Sequence, residues 1–229
     1  MSKRAASSGS FRILGIEIDR KINLFAVTGF VLSVIALTSQ VSGCLKGADI
    51  SIAPPEQVVI FFDTYPDKKT YLRVAAQMSY VNSGAPEYVG IIKRETVDFK
   101  FAGKSYRHYW QSFERLDREG AAIKFYRISD VQPVTVSGGK SVSHPTVFGP
   151  IPENCNGNRK TCDADANFIK SGEFLNKLAP NSKLGLTFTI YVLGRSEPLT
   201  ASCSLDLPVS AITLLLMNNW YAGPCHPAT

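Results

Sequence analysis

The chain reads as mainly β, with an N-terminal single transmembrane helix followed by an antiparallel immunoglobulin-like β-sandwich that carries one or two short helices. Two observations predict this. A single uncharged stretch, Ile22 to Leu45, is long enough to address a membrane. Beyond it, many short alternating segments are divided by Gly, Pro and Asn turns, the pattern of an antiparallel two-layer fold. The Cys…Trp…Cys arrangement of true immunoglobulin domains is absent, so only the architecture is expected. The expected organisation is a cytoplasmic segment over 1–21, a transmembrane signal-anchor or lipoprotein signal over 22–45, a linker over 46–56 and an extracytoplasmic sandwich over 57–229.

The uncharged stretch runs for 24 residues, and at a helical rise of 1.5 Å per residue it reaches about 36 Å against a hydrocarbon core of about 30 Å. Lys3, Arg4, Arg12, Arg20 and Lys21 precede it, opposed only by Glu17 and Asp19, while Lys46 stands alone directly after it. Basic residues stay on the cytoplasmic side, so the N-terminus is expected inside and the bulk of the chain outside. The long basic lead favours an uncleaved anchor over a cleaved signal. Val41-Ser42-Gly43-Cys44 resembles the lipobox of bacterial lipoproteins, which implies lipidation of Cys44, although Gln40 and the late position of the cysteine depart from that pattern. Gly29 and Ser33 form a small-xxx-small pair through which two such helices would dimerise. Phe11, Leu14 and Ile18 share a face if that segment is helical, which suits a short helix along the inner leaflet.

The net charge of +6 suggests a polyanion binder until it is divided. Without the residues before Ile22, 20 basic side chains face 17 acidic ones, and they are scattered rather than striped. Nucleic acid is therefore not an expected partner. Four cysteines lie beyond Cys44, an even number that fits an oxidising compartment. Four cysteines allow three pairings, among which sequence does not choose; the preferred one is Cys155–Cys162 with Cys203–Cys225, where loop closure is worth about 2.5 and 3.4 kcal/mol. Six residues between the first two cysteines is too wide for a zinc knuckle, so no metal site is expected there.

Along the domain, Val58–Phe62 is a compact apolar run, and Tyr71–Asn82 alternates with Leu72, Val74, Ala76, Met78 and Tyr80 on one face. Ile91–Phe101 and Ser105–Phe113 read as strands joined by a hairpin at Ala102-Gly103-Lys104. Ala122–Ile128, Pro133–Val136 and Ser141–Phe148 follow, and residues 150–161 read as a polar loop. Asp165 is placed to cap a helix running to Leu178. Leu184–Leu193 and Leu199–Leu207 make a hairpin about Gly194-Arg195-Ser196, and Val209–Tyr221 is a closing apolar helix or strand.

The densest aromatic cluster is Tyr106-Arg107-His108-Tyr109-Trp110. On a strand, Tyr106, His108 and Trp110 share one face, and Arg107, Tyr109 and Gln111 share the other. One face is expected to fill the core, which leaves Arg107, Tyr109 and Gln111 as the candidate ligand-binding residues. Asp163, Asp165 and Asn167 open like a calcium loop, but Phe168 and Phe174 stand where an EF-hand requires Gly and Glu. His108, His144 and His226 show no metal-ligand spacing. Ser143 and His144 point to opposite sides of a strand, and His144 before Pro145 reads as a turn or surface residue. The sequence expects no catalytic residues, cofactor or metal. It leans toward a non-enzymatic binding or accessory subunit of a cell-envelope complex, with the membrane and another envelope protein as partners. The alternatives are a surface lipoprotein binding carbohydrate or peptide, and a membrane-tethered hydrolase or transferase.

Overall fold

The structure, a computed structural model, describes residues 11–13, 16–18, 24–45, 47–64, 70–119, 122–151 and 168–227. It divides into two compact units, Met1–Gly47 and Ala48–Thr229. In the first, β1 (Phe11–Ile13) pairs antiparallel with β2 (Ile16–Ile18), and α1 spans Leu24–Leu45. The hairpin replaces the surface helix expected through Phe11 and Ile18.

The expected transmembrane helix is corrected as well: among the described residues, no helix is long and apolar enough to cross a membrane. The strongly apolar part of the segment is confined to Leu24–Leu37, which spans only about 21 Å at 1.5 Å per residue, short of a core of about 30 Å. The Thr38 hydroxyl that follows it bonds back to the Val34 and Ile35 carbonyls at 2.8 and 2.9 Å.

The second unit is a closed barrel, and this overturns the sandwich. Its strands are β3 (Ile50–Ala53), β4 (Gln57–Thr64), β5 (Thr70–Asn82), β6 (Val89–Phe101), β7 (Lys104–Glu119), β8 (Ala122–Asp130), β9 (Val134–Ser137), β10 (Lys140–Gly149), β11 (Ser182–Val192), β12 (Leu199–Leu207) and β13 (Trp220–Pro227). The ring runs β7–β10–β5–β4–β13–β12–β11–β6 and returns to β7. β8, β9 and β3 are added to β7, β6 and β5. Closure depends on the length of β7, whose early residues pair with β6 while Tyr109 to Phe113 pair with β10. A sandwich would leave one of these seams open. β3 falls within the segment expected as a linker, and its Ile50 is buried in the core.

Eight strands enclose a space that side chains can fill. Val58, Ile60 and Phe62 enter it from β4, Leu72, Val74 and Met78 from β5, and Phe188 and Ile190 from β11, all of them buried. Two short helices close one end. α2 (Ser171–Lys177) buries Phe174, whose ring stacks on Phe101 at 4.5 Å and meets Phe62 edge-on at 6.0 Å. α3 (Val209–Asn218) buries Ala211 and Leu215 and ends on Asn219, whose left-handed conformation (φ 63°) caps the helix. At the opposite end the fully buried Asn82 amide accepts from Asp49 N–H and Gly84 N–H at 3.0 Å each, and donates to the Tyr88 and Val136 carbonyls. One side chain therefore ties four segments of the rim.

The apolar run Val58–Phe62 has a second explanation outside the wall. Val59 and Phe61 point outward beside Ala75, Val147 and Trp220, and the end of β7 together with β8 folds over them, bringing Leu116, Ile123 and Phe125. Phe61 and Phe125 stack at 4.2 Å. Cys203 and Cys225 form a disulfide with 5.4 Å between Cα atoms, joining β12 to β13. It suggests a domain outside the cytoplasm, because such bonds persist in oxidising compartments. Cys155, Cys162, Asp163 and Asp165 lie outside the described residues.

Candidate functional site

Alternation on β7 sorts the aromatic cluster. Tyr106, His108 and Trp110 face inward and are buried, whereas Arg107 is exposed and Tyr109 half-buried on the outer wall. Across the ladder Arg107 opposes Asp98 and Tyr109 opposes Thr96 on β6. The Arg107 guanidinium grips Asp98 with two parallel bonds, Nε to Oδ1 at 2.7 Å and Nη2 to Oδ2 at 3.0 Å. This planar fork fixes the carboxylate's direction, and the bond to Asp98 in turn raises the Arg107 pKa above its ordinary value.

The structure does not bring Gln111 into that open face. The register between β7 and β10 shifts beside it, at Val147/Phe148. Its Oε1 accepts from Arg73 Nη2 at 3.0 Å, and its Nε2 donates to the Ile151 carbonyl at 3.4 Å. The amide lies against Gly149 so closely that a Cβ there would stand 2.3 Å from Oε1. Arg73 is itself held by Asp63 at 2.7 Å and lies over the Phe61 ring. Gln111 thus braces the scaffold, while Arg107 and Tyr109 meet solvent.

The outer face continues across β6, β11 and β12 as a polar wall. Thr187 opposes Asp98 on one side and Ser202 on the other, with the two hydroxyl oxygens 3.0 Å apart. Arg94 lies over the Tyr191 ring at 4.0 Å. The ladder between β6 and β11 ends at Leu186↔Phe99, one residue short of Gly185. There a groove of about 410 Å³ opens, bordered by Asp98, Lys100, Ser105, Gly185, Thr187 and Ser202. Nothing lies within 4 Å of the position a Cβ would take on Gly185. Sequence reasoning missed this groove, since a lone glycine in an alternating strand carries no signal of what stands across from it.

A second constellation lies inside the wall. Glu95 of β6 is fully buried, and its Oε1 is 2.9 Å from Nε2 of His144 on β10. Tyr80 of β5 packs against the His144 ring at 5.3 Å, and Phe113 does so at 4.6 Å. Burial, and then the Glu95 carboxylate beside it, push the Tyr80 hydroxyl far above its ordinary pKa. His144 is thus not the turn or surface residue its Pro145 neighbour suggested. Pro145 is accommodated because β10 pairs with β7 only from Thr146 onward, so no β7 partner needs its missing N–H. Glu95 and His144 are in direct contact, but the trio sits among packed side chains rather than on an open surface. Among the described residues no group of three His, Cys, Asp or Glu side chains is placed to hold a metal ion.

Comparison with known proteins finds no family model and no curated sequence that matches this chain.

Proposed function

We propose that the protein is a non-enzymatic binding or accessory subunit of a cell-envelope complex, which meets its partner through the outer wall around Arg107 and Tyr109. One observation carries this reading. The barrel interior is occupied by the protein's own side chains, with Tyr80, Phe148, Phe174 and Phe188 among the largest fully buried, so recognition belongs to the outside of the wall. There Arg107 and Tyr109 set a guanidinium and an aromatic ring beside the oriented Asp98 carboxylate on rigid strands, and Arg and Tyr are enriched at interface hot spots.

The disulfide supports a barrel that works outside the cytoplasm. Lipidation at Cys44 would tether it to a membrane surface. Intact mass of the mature chain tests this: residues 1–43 are lost and a diacylglyceryl group sits on Cys44 if the tether is used, and residues 1–43 are retained if it is not.

The binding reading is tested by crosslinking in intact envelopes, followed by capture of the full chain from detergent. Arg107→Ala and Tyr109→Ala should each remove the captured envelope protein while leaving the circular dichroism spectrum unchanged. If both variants capture every partner the wild type does, the outer wall is not the binding surface.

A further inference from the structure

Gly185 stands within an 11-residue strand, a position where glycine is a poor choice. Neither backbone nor packing requires it. Its φ is not left-handed, and the space where a Cβ would stand is open. A bare glycine inside a strand is instead suited to the close approach of something to the backbone. The groove of about 410 Å³ opens there, within the size range of small-ligand sites.

The rim of that groove defines the chemistry of the occupant. Asp98 accepts hydrogen bonds, and the Arg107 fork aims its carboxylate. Lys100 donates, and the hydroxyls of Ser105, Thr187 and Ser202 do both. Arg107 balances Asp98, so Lys100 is the charge in excess on this rim, far short of the several cations that a polyanion site gathers. Toward β6, β11 leaves only the four residues 182–185 unpaired, a short edge for an extended peptide to add to.

We infer that the Gly185 groove binds a neutral saccharide, with neighbouring ligand hydroxyls donating to Asp98 and accepting from Lys100 and Thr187 while a ring face lies against the bare Gly185 backbone. The inference rests on the reading of this wall as a recognition surface, but not on which protein that wall meets.

The test is a nuclear magnetic resonance titration of the ¹⁵N-labelled full chain in mild detergent, with N-acetylglucosamine tetramer and maltotetraose as the probes. At least one probe should shift the Gly185 amide saturably, along with Thr187 and Ser202. Gly185→Val should abolish those shifts while keeping the wild-type melting temperature or raising it. Asp98→Asn, which keeps the side chain's shape, should weaken binding by about tenfold or more. The inference is overturned if neither probe moves the Gly185 amide at about ten times a millimolar Kd, or if the shifts persist unchanged in Gly185→Val. If an extended peptide moves that amide and the saccharides do not, the groove belongs to a peptide instead. Loss of saccharide binding alongside intact Arg107-dependent capture would refute only the ligand class; loss of both would refute the recognition surface itself.

Discussion

Reducing the Cys203–Cys225 disulfide should lower the stability of the barrel by about 3.4 kcal/mol. The bond closes a chain separation of 22 residues, and the entropy of such a loop in the unfolded chain is worth about 11 cal/mol/K, or about 3.4 kcal/mol at 25 °C. In a unit of this size each kcal/mol displaces the midpoint by about 2–4 °C, so reduction should lower the melting temperature by about 7–14 °C. The loss should also be local. β12 and β13 share only three registered pairs, Cys203↔Pro227, Ser204↔His226 and Leu205↔Cys225, whereas β11 and β12 share nine. The disulfide therefore clamps the shorter of the two seams flanking β12. Thermal melts of oxidised and reduced protein, followed by circular dichroism, measure the first effect. Hydrogen exchange resolved along β12 and β13 measures the second, and the His226 and Cys225 amides should exchange faster in the reduced form while the β11 amides keep their protection. A midpoint change under about 3 °C, or loss of protection spread evenly through β11, would refute the assignment of this bond as the clamp on that seam.

Glu95→Ala should cost about 1–3 kcal/mol, because it takes the buried Glu95 partner from the half-buried His144 ring. The double variant Glu95→Leu/His144→Phe should cost less than the sum of its two single changes, as read from urea midpoints in a double-mutant cycle. Gly138→Ala should destabilise the rim by about 1–3 kcal/mol, since a Cβ there would stand 1.8 Å from the Ala85 carbonyl oxygen; a neutral result in chemical denaturation would mean that loop repacks freely. Arg107→Ala should change stability by less than about 1 kcal/mol, because its ion pair with Asp98 is half exposed to solvent, so an unfolded variant would count against the surface role given to this residue.

Local patterns on the sequence located most of the strands. The period of two in Tyr71–Asn82 reports side chains alternating across a wall, and that depends only on strand geometry. The turn at Ala102-Gly103 was legible because both residues take positive φ, at 50° and 78°, and glycine and small residues favour such turns. Pairing between distant strands left no comparable trace. Nothing in Lys104–Glu119 records that its first half joins β6, that its middle joins β10, or that its end folds with β8 over Val59 and Phe61. Those registers are what turn two expected sheets into a ring. His144 was misplaced for a related reason: its neighbour Pro145 suggests a turn, and only the late start of the β7–β10 ladder lets proline sit within that strand.

By itself the sequence determined the β-rich character of the domain and the inward face of Tyr106, His108 and Trp110. These follow from side-chain periodicity, which acts over short range; the even cysteine set left three pairings open, and the structure shows Cys203 with Cys225. The tertiary structure decided that the wall closes, that Glu95 and His144 meet across 49 residues, and that Gly185 opens a groove beside the Asp98–Arg107 fork. Each of these depends on which strand lies beside which. That choice is made by the packing of the whole core, in which eight strands leave a space that these side chains fill.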